Sequence, residues 1–166
     1  MLTATSSARR DLGGPSLHPL IDYDPVGRLY YDLRQPITQI RFRTTQFVNL
    51  RRPATDPVVG RMAIRVPGTP WVLNIQNSQG VTVENVLTTL YNELQRIVGR
   101  GEYPTFPLQI QNHAASVFHA RTRENHAEHV QGIKRVDFLC GKTLFLGLTR
   151  ATDGSDMWDL KVTENP

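Results

Sequence analysis

Apolar positions recur along this chain with period two in some stretches and near 3.6 in others, and the two periods mark out its elements. In the run from Leu29 to Arg34, Leu29, Tyr31 and Leu33 alternate with Tyr30, Asp32 and Arg34, which predicts a half-buried strand ending before Pro36. A second strand is expected over Ile37 to Arg43, with Ile40 and Phe42 inward and Arg41 and Arg43 outward. Met62 to Val66 and Trp71 to Ile75 read as two more strands joined across Pro67-Gly68-Thr69-Pro70. The pattern then changes period. Val83, Val86, Leu87, Leu90, Leu94, Ile97 and Val98 form a helical stripe, with Thr82 as N-cap, Glu84 in the first turn and Gly99 at the end. After a break at 101–107, Ile110, Ala114, Val117 and Phe118 predict a second helix running to about Asn125. Trp158 to Val162 is the last expected strand.

The densest strand signal lies in Lys134 to Arg150, KRVDFLCGKTLFLGLTR, where two apolar runs flank Gly141-Lys142. Gly at the first position suits a two-residue hairpin turn. That turn would pair Cys140 with Thr143, Leu139 with Leu144 and Phe138 with Phe145, so that residues directly opposite share a face. Val136, Phe138, Cys140 and Phe145 would then lie on one face, with Leu139, Leu144, Leu146, Leu148 and Asp137 on the other. A three-residue loop would instead gather the apolar residues on one face, but it places Thr143 where such loops favour Gly. The two-residue turn predicts a hairpin covered on both sides. It also places Asp137 among leucines, where a carboxylate needs a partner, with Arg34 as the candidate.

Strands, two helices and further strands predict an α+β fold: one domain over 17–166, with an antiparallel or mixed sheet, two main helices mostly on one face and a central C-terminal hairpin. Residues 1–16 are small, polar and punctuated by Gly and Pro, and read as a disordered arm. No internal repeat is evident. The net charge is +4, carried mostly by arginine. Arg41, Arg43, Arg51, Arg52, Arg61 and Arg65 are the densest basic positions, and without interleaved aromatics or a nucleic-acid motif they read as a solvated surface. The single cysteine, Cys140, excludes an internal disulfide and suits a reducing compartment. The N-terminus lacks the apolar run of a secretory signal, and no stretch is long enough to span a membrane, so a cytoplasmic protein is expected.

Candidate chemistry is sparse. On a continuous helix His119, His126 and His129 would fall within about 80° of one another, near what a three-ligand metal site requires. No compact ligand motif accompanies them or His113, and surface histidines are the simpler reading. Gly141-Lys142-Thr143 lacks the earlier glycine and the following helix of a phosphate loop. Cys140, in an apolar run, reads as a structural thiol. Arg34, Trp71, Arg135 and Asp137 are the candidate binding residues: the charged ones for a polar cleft near the hairpin, and Trp71 as an interface anchor or a core residue.

The ordered segments Leu17-His18-Pro19-Leu20, Tyr31-Asp32-Leu33-Arg34, Ala54-Thr55 before Pro57, Pro70-Trp71, Gly80-Val81-Thr82-Val83, and Lys134 to Leu139 followed by Gly141, Thr143, Phe145 and Gly147-Leu148 carry a resemblance. Together they resemble a family of uncharacterised proteins of mushroom-forming basidiomycete fungi that carry a domain of unknown function, sixty-six ninety-nine. The resemblance covers about residues 17 to 162. It implies one intracellular domain of fungal origin and brings no activity, cofactor or catalytic residue with it. The function expected is a non-catalytic binding module for a protein partner or a second copy, with no cofactor and with nucleic acid a lesser candidate. The alternative is an enzyme or small-ligand binder with a polar cleft near the hairpin, or a histidine metal site.

Overall fold

The computed structural model describes residues 13–166. Most of the arm expected over 1–16 therefore lies outside the described residues, while Ser16 belongs to the first strand. The strands are β1 (Ser16–Leu17), β2 (Leu29–Tyr30), β3 (Arg41–Phe42), β4 (Thr55–Asp56), β5 (Arg61–Arg65), β6 (Val72–Gln76), β7 (Leu144–Arg150) and β8 (Trp158–Thr163). The α-helices are α1 (Val83–Leu94), α2 (Leu108–Thr122) and α3 (His126–Gln131). β6, β5, β8 and β7 form a four-stranded mixed sheet in that order, and β1–β4 and β2–β3 form two short antiparallel ladders. The fold is α+β.

The sheet has one apolar and one polar face, as strand alternation dictates. The register Ile64 with Leu73 and Trp158, and Leu148 with Leu160, aligns buried side chains on one face. The other face carries Arg65 beside Asp159, with Asn74 and Gln76 exposed. α1 covers the apolar face at β6 and buries Val83, Val86, Leu87, Leu90 and Leu94. Its N-terminus has the expected cap: the Thr82 hydroxyl accepts the Asn85 N–H at 3.1 Å while the Asn85 side chain accepts the Thr82 N–H at 3.0 Å. The helix stops at Leu94, short of Gly99, because the chain turns to bond another segment: Arg135 N–H donates to the Arg96 carbonyl, and Val98 N–H to that of Ile133. Ile97 is left half-exposed. α2 packs on a 3₁₀ turn at Arg135–Leu139.

That 3₁₀ turn corrects the hairpin expected over 134–150. Val136, Phe138 and Leu139 are all buried by it, so their apolar pattern is satisfied without a strand. The Lys134 N–H is capped by Asp137 Oδ2 at 2.9 Å. Cys140 (φ 54°) and Gly141 (φ 83°) then reverse the chain into β7. Gly141 thus has the positive φ expected of it, in ending a helical turn rather than in joining two strands. The true C-terminal hairpin is β7–β8, one element further on, and β8 lies centrally in the sheet.

The two strands expected over 29–43 are shorter than their patterns. Leu29, Tyr31 and Leu33 are buried as predicted, but only Leu29–Tyr30 pairs with β3. Beyond it the chain crosses to β7, where Tyr31 O accepts the Phe145 N–H and Leu33 N–H donates to Thr143 O. Pro36 then starts a 3₁₀ turn at Ile37–Gln39. Residues 21–24 cover the rest of the outer edge of β7, through Tyr23 N–H to Leu148 O, Asp24 N–H to Leu146 O and Leu148 N–H to Ile21 O. An edge that would otherwise expose backbone groups is covered by this N-terminal strap.

Candidate functional site

Asp137 is only 1 % exposed, and its partner is Arg121 of α2, not Arg34. Arg121 donates from Nε to Oδ1 at 2.9 Å and from Nη2 to Oδ2 at 2.8 Å, a bidentate pair. Arg121 Nη1 also bonds Glu128 Oε2 at 2.8 Å, which Lys134 Nζ reaches at 2.7 Å. Lys134 Nζ beside Glu128, with Arg121 close by, holds that carboxyl below its ordinary range. Two cations and two anions alternate through this cluster. It joins α2, α3 and the 3₁₀ turn, and it offers a ligand no unpaired charge.

The other three predicted residues fall in two places. Trp71 is a core residue, 6 % exposed, packed edge-on against Phe106 and Phe138 at 5.5 Å each. Its indole N–H donates to Glu102. Arg135 stacks over its ring at 4.9 Å and pairs with Glu93 at 3.1 Å. Arg34 is remote from that pair in its bonding: it turns back on its own segment and grips Asp32 Oδ2 at 2.6 Å. Burial raises the Asp32 carboxyl, but Arg34 outweighs it and holds the group below its usual value.

His119 and His129 approach to 5.9 Å between ring centroids, and Phe118 stacks on His129 at 5.1 Å. His129 Nδ1 lies 3.0 Å from the Thr122 hydroxyl. α2 ends at Thr122, and Asn125 caps the separate helix α3, so the continuous helix that would align His126 with the other two is not formed. Among the described residues no group of three His, Cys, Asp or Glu is arranged to hold a metal ion. Cys140 sits half-buried at the left-handed end of the 3₁₀ turn rather than in a strand, and burial raises its thiol against the opposing pull of Lys142. A raised thiol is a poor nucleophile.

Unpaired chemistry collects elsewhere, in a cleft of about 750 Å³ at the N-terminal end of the fold. The β2–β3 ladder continues one step, with Arg43 N–H donating to Arg28 O at 3.2 Å, so two arginines stand directly opposite each other. Like charges so placed repel. Arg52 arrives from the segment docked on the start of α1, through Val83 N–H to Arg52 O and Glu84 N–H to Leu50 O. His18 is tied to that segment through its N–H to Ala54 O, and its Nδ1 accepts the Leu20 N–H at 3.2 Å. Burial, then Arg52 and Arg28, lower the His18 pKa from 6.5. Leu20, Val48 and Phe47, the last 92 % exposed, add apolar surface, and no carboxylate among the described residues lines the cleft. Arg28 reaches Asp24 only at 3.8 Å, and Arg43 and Arg52 have no ion-pair partner among the described residues. A second cavity of about 540 Å³ adjoins the first, sharing His18, Pro19 and Arg52 with it and adding Thr55, Val58 and the carboxylate of Asp56.

The sequence marked Arg43 and Arg52 as basic but gave no sign that they converge. His18 and Arg28 join them only through the two short ladders and the contacts around Ala54. A family model described as a family of unknown function (DUF6699) matches residues 29–156. The match includes Arg43 and Arg52 and begins just after Arg28. No curated protein and no solved structure matches the chain.

Proposed function

The chain belongs to DUF6699, a family of unknown function, and we propose that it is a non-catalytic binding module whose arginine cleft takes an extended acidic segment of a partner protein. One observation carries the reading: Arg28, Arg43, Arg52 and His18 converge on an open cleft that no carboxylate among the described residues lines, and the adjoining cavity adds one, Asp56, so positive charge is in excess there. Holding like charges together costs free energy that a bound anion returns. Leu20, Val48 and Phe47 beside the arginines favour a segment that alternates acidic with apolar side chains. Two adjoining cavities that share His18, Pro19 and Arg52 suit an extended segment laid across both better than a compact small molecule. The chain's own start, MLTATSSARR, has the wrong charge for this role.

The setting is read as cytoplasmic, where the lone thiol of Cys140 stays reduced. Among the described residues no helix is long and apolar enough to cross a membrane. An enzymatic reading has less support, because the buried Asp137 is fully engaged by Arg121 and Lys134.

A fluorescein-labelled peptide alternating glutamate with leucine is the probe, read by anisotropy. Arg43→Glu combined with Arg52→Glu should weaken its binding about tenfold or more, equivalent to about 1.4 kcal/mol, and added salt should weaken it progressively. Equal affinity for both proteins, or for a lysine–leucine peptide, would overturn the reading. An RNA oligonucleotide that binds more tightly than the acidic peptide would do the same.

The pH dependence has a defined sign. A bound acidic segment offsets the field of Arg52 and Arg28, so His18 binds a proton more readily in the complex than in the free protein. Protons are then taken up on binding, and affinity should rise as pH falls below 6.5 while the ligand carboxylates stay ionised above about pH 4.5. Titrations of the peptide at pH 7.5 and 5.5 should show that rise, and His18→Gln should remove it.

A further inference from the structure

The four-stranded sheet treats its two edges differently. β7 is covered by the N-terminal strap, whereas β6 pairs, among the described residues, only with β5. The bonds Asn77 N–H to Gly60 O and Val66 N–H to Trp71 O fix the phase of the β5–β6 ladder. Ile75 and Leu73 then exchange bonds with Met62 and Ile64, and the N–H and C=O groups of Val72, Asn74 and Gln76 point away from the sheet. No described residue bonds any of them. Their side chains are exposed as well, Val72 to 39 %.

Proteins ordinarily protect such an edge with a charge, a proline or a bulge. β6 has none of these. It reads Val-Leu-Asn-Ile-Gln, its pairing with β5 is unbroken, and no charged residue occurs between Arg65 and Glu84. The edge is therefore neutral and meets its own copy without repulsion.

We infer that β6 is the interface of a symmetric homodimer, in which β6 of one copy pairs antiparallel with β6 of a second. A two-fold axis at Asn74 sets Asn74 opposite its own copy, and Val72 opposite Gln76 in both directions. All three pairs are of the hydrogen-bonded kind, so each exchanges two bonds and every outward group of the strand is satisfied. The two sheets become one of eight strands, with both apolar faces on the same side. The occupant is a second copy because the edge is self-complementary in charge and in register. This interface is independent of the arginine cleft.

Sedimentation or light scattering from low micromolar concentration upward should show a monomer–dimer equilibrium. Asn74→Lys places two ammonium groups across the axis and should leave the protein monomeric, with an unchanged circular dichroism spectrum because the side chain is exposed. In a Cys140→Ser background, Asn74→Cys should form an intermolecular disulfide on mild oxidation, since Cα atoms of such a pair lie about 5.5 Å apart. Gln76→Cys should not, because its copy lies four residues along the strand, roughly 14 Å away. A strict monomer at every concentration overturns the inference. So does a dimer that survives Asn74→Lys, or one that cross-links as well through residue 76 as through residue 74.

Discussion

Replacing Asp137 with alanine should lower the thermal midpoint by on the order of 10 °C, because removing one member of a buried ion pair costs about 3–5 kcal/mol in a domain of this size. The carboxylate accepts three hydrogen bonds, two from Arg121 and one from the Lys134 N–H. Without it, Arg121 keeps only Glu128, while its Nε and the backbone N–H of Lys134 remain buried without an acceptor. An unsatisfied buried donor costs more than a made bond contributes. Asp137→Asn separates charge from volume. Its amide oxygen in the place of Oδ2 can still accept from Arg121 Nη2 and the Lys134 N–H, but its NH₂ must then face the Arg121 Nε–H, so it should also be clearly destabilised, though less than alanine. Differential scanning calorimetry of both variants is the measurement. A shift of under 3 °C for Asp137→Ala would show that the cluster does not hold α2 against the 3₁₀ turn.

That cluster also marks where sequence patterning stops being informative. The pattern required a partner for Asp137, and the structure provides one. Its identity was hidden, because Arg121 lies sixteen positions away on a helix with a weak apolar stripe. The same interaction explains the misplaced hairpin: Val136, Phe138 and Leu139 suit a strand by type, but gripping Asp137 from α2 and capping Lys134 favour a helical turn that buries all three. Elements governed by near neighbours were legible. α1 follows from its stripe and the Thr82 cap, and β5–β6 from alternation across a Pro-Gly-Thr-Pro turn. The arginine cleft was not, because Arg28, Arg43 and Arg52 come together only through long-range pairing of short ladders and through the docking of the Arg52 segment on α1.

Gly147→Ala should be the other strongly destabilised variant, and it ties the strap to the cleft. Gly147 lies beside a bulge in β7, where the register with β8 slips between Phe145 and Gly147. Its φ is 118°, a conformation that costs a side-chain-bearing residue about 1–3 kcal/mol. Space is lacking too. A Cβ there would lie 2.7 Å from Asp22 O and equally close to the N and Cα of Tyr23, all backbone atoms. Backbone held by bonds on both sides cannot yield as a flexible side chain would. The strap must therefore lift from β7, losing Tyr23 N–H to Leu148 O and Leu148 N–H to Ile21 O. Hydrogen exchange should show faster exchange of the Tyr23, Asp24 and Leu148 amides together with a lowered thermal midpoint. The strap also joins His18 to Arg28, two of the cleft residues that precede the matched family region. The same substitution should accordingly weaken acidic-peptide binding even at temperatures where the protein stays folded. Gly147→Ala with wild-type exchange rates would mean that the close approach of strap and bulge is not what seals this edge of the sheet.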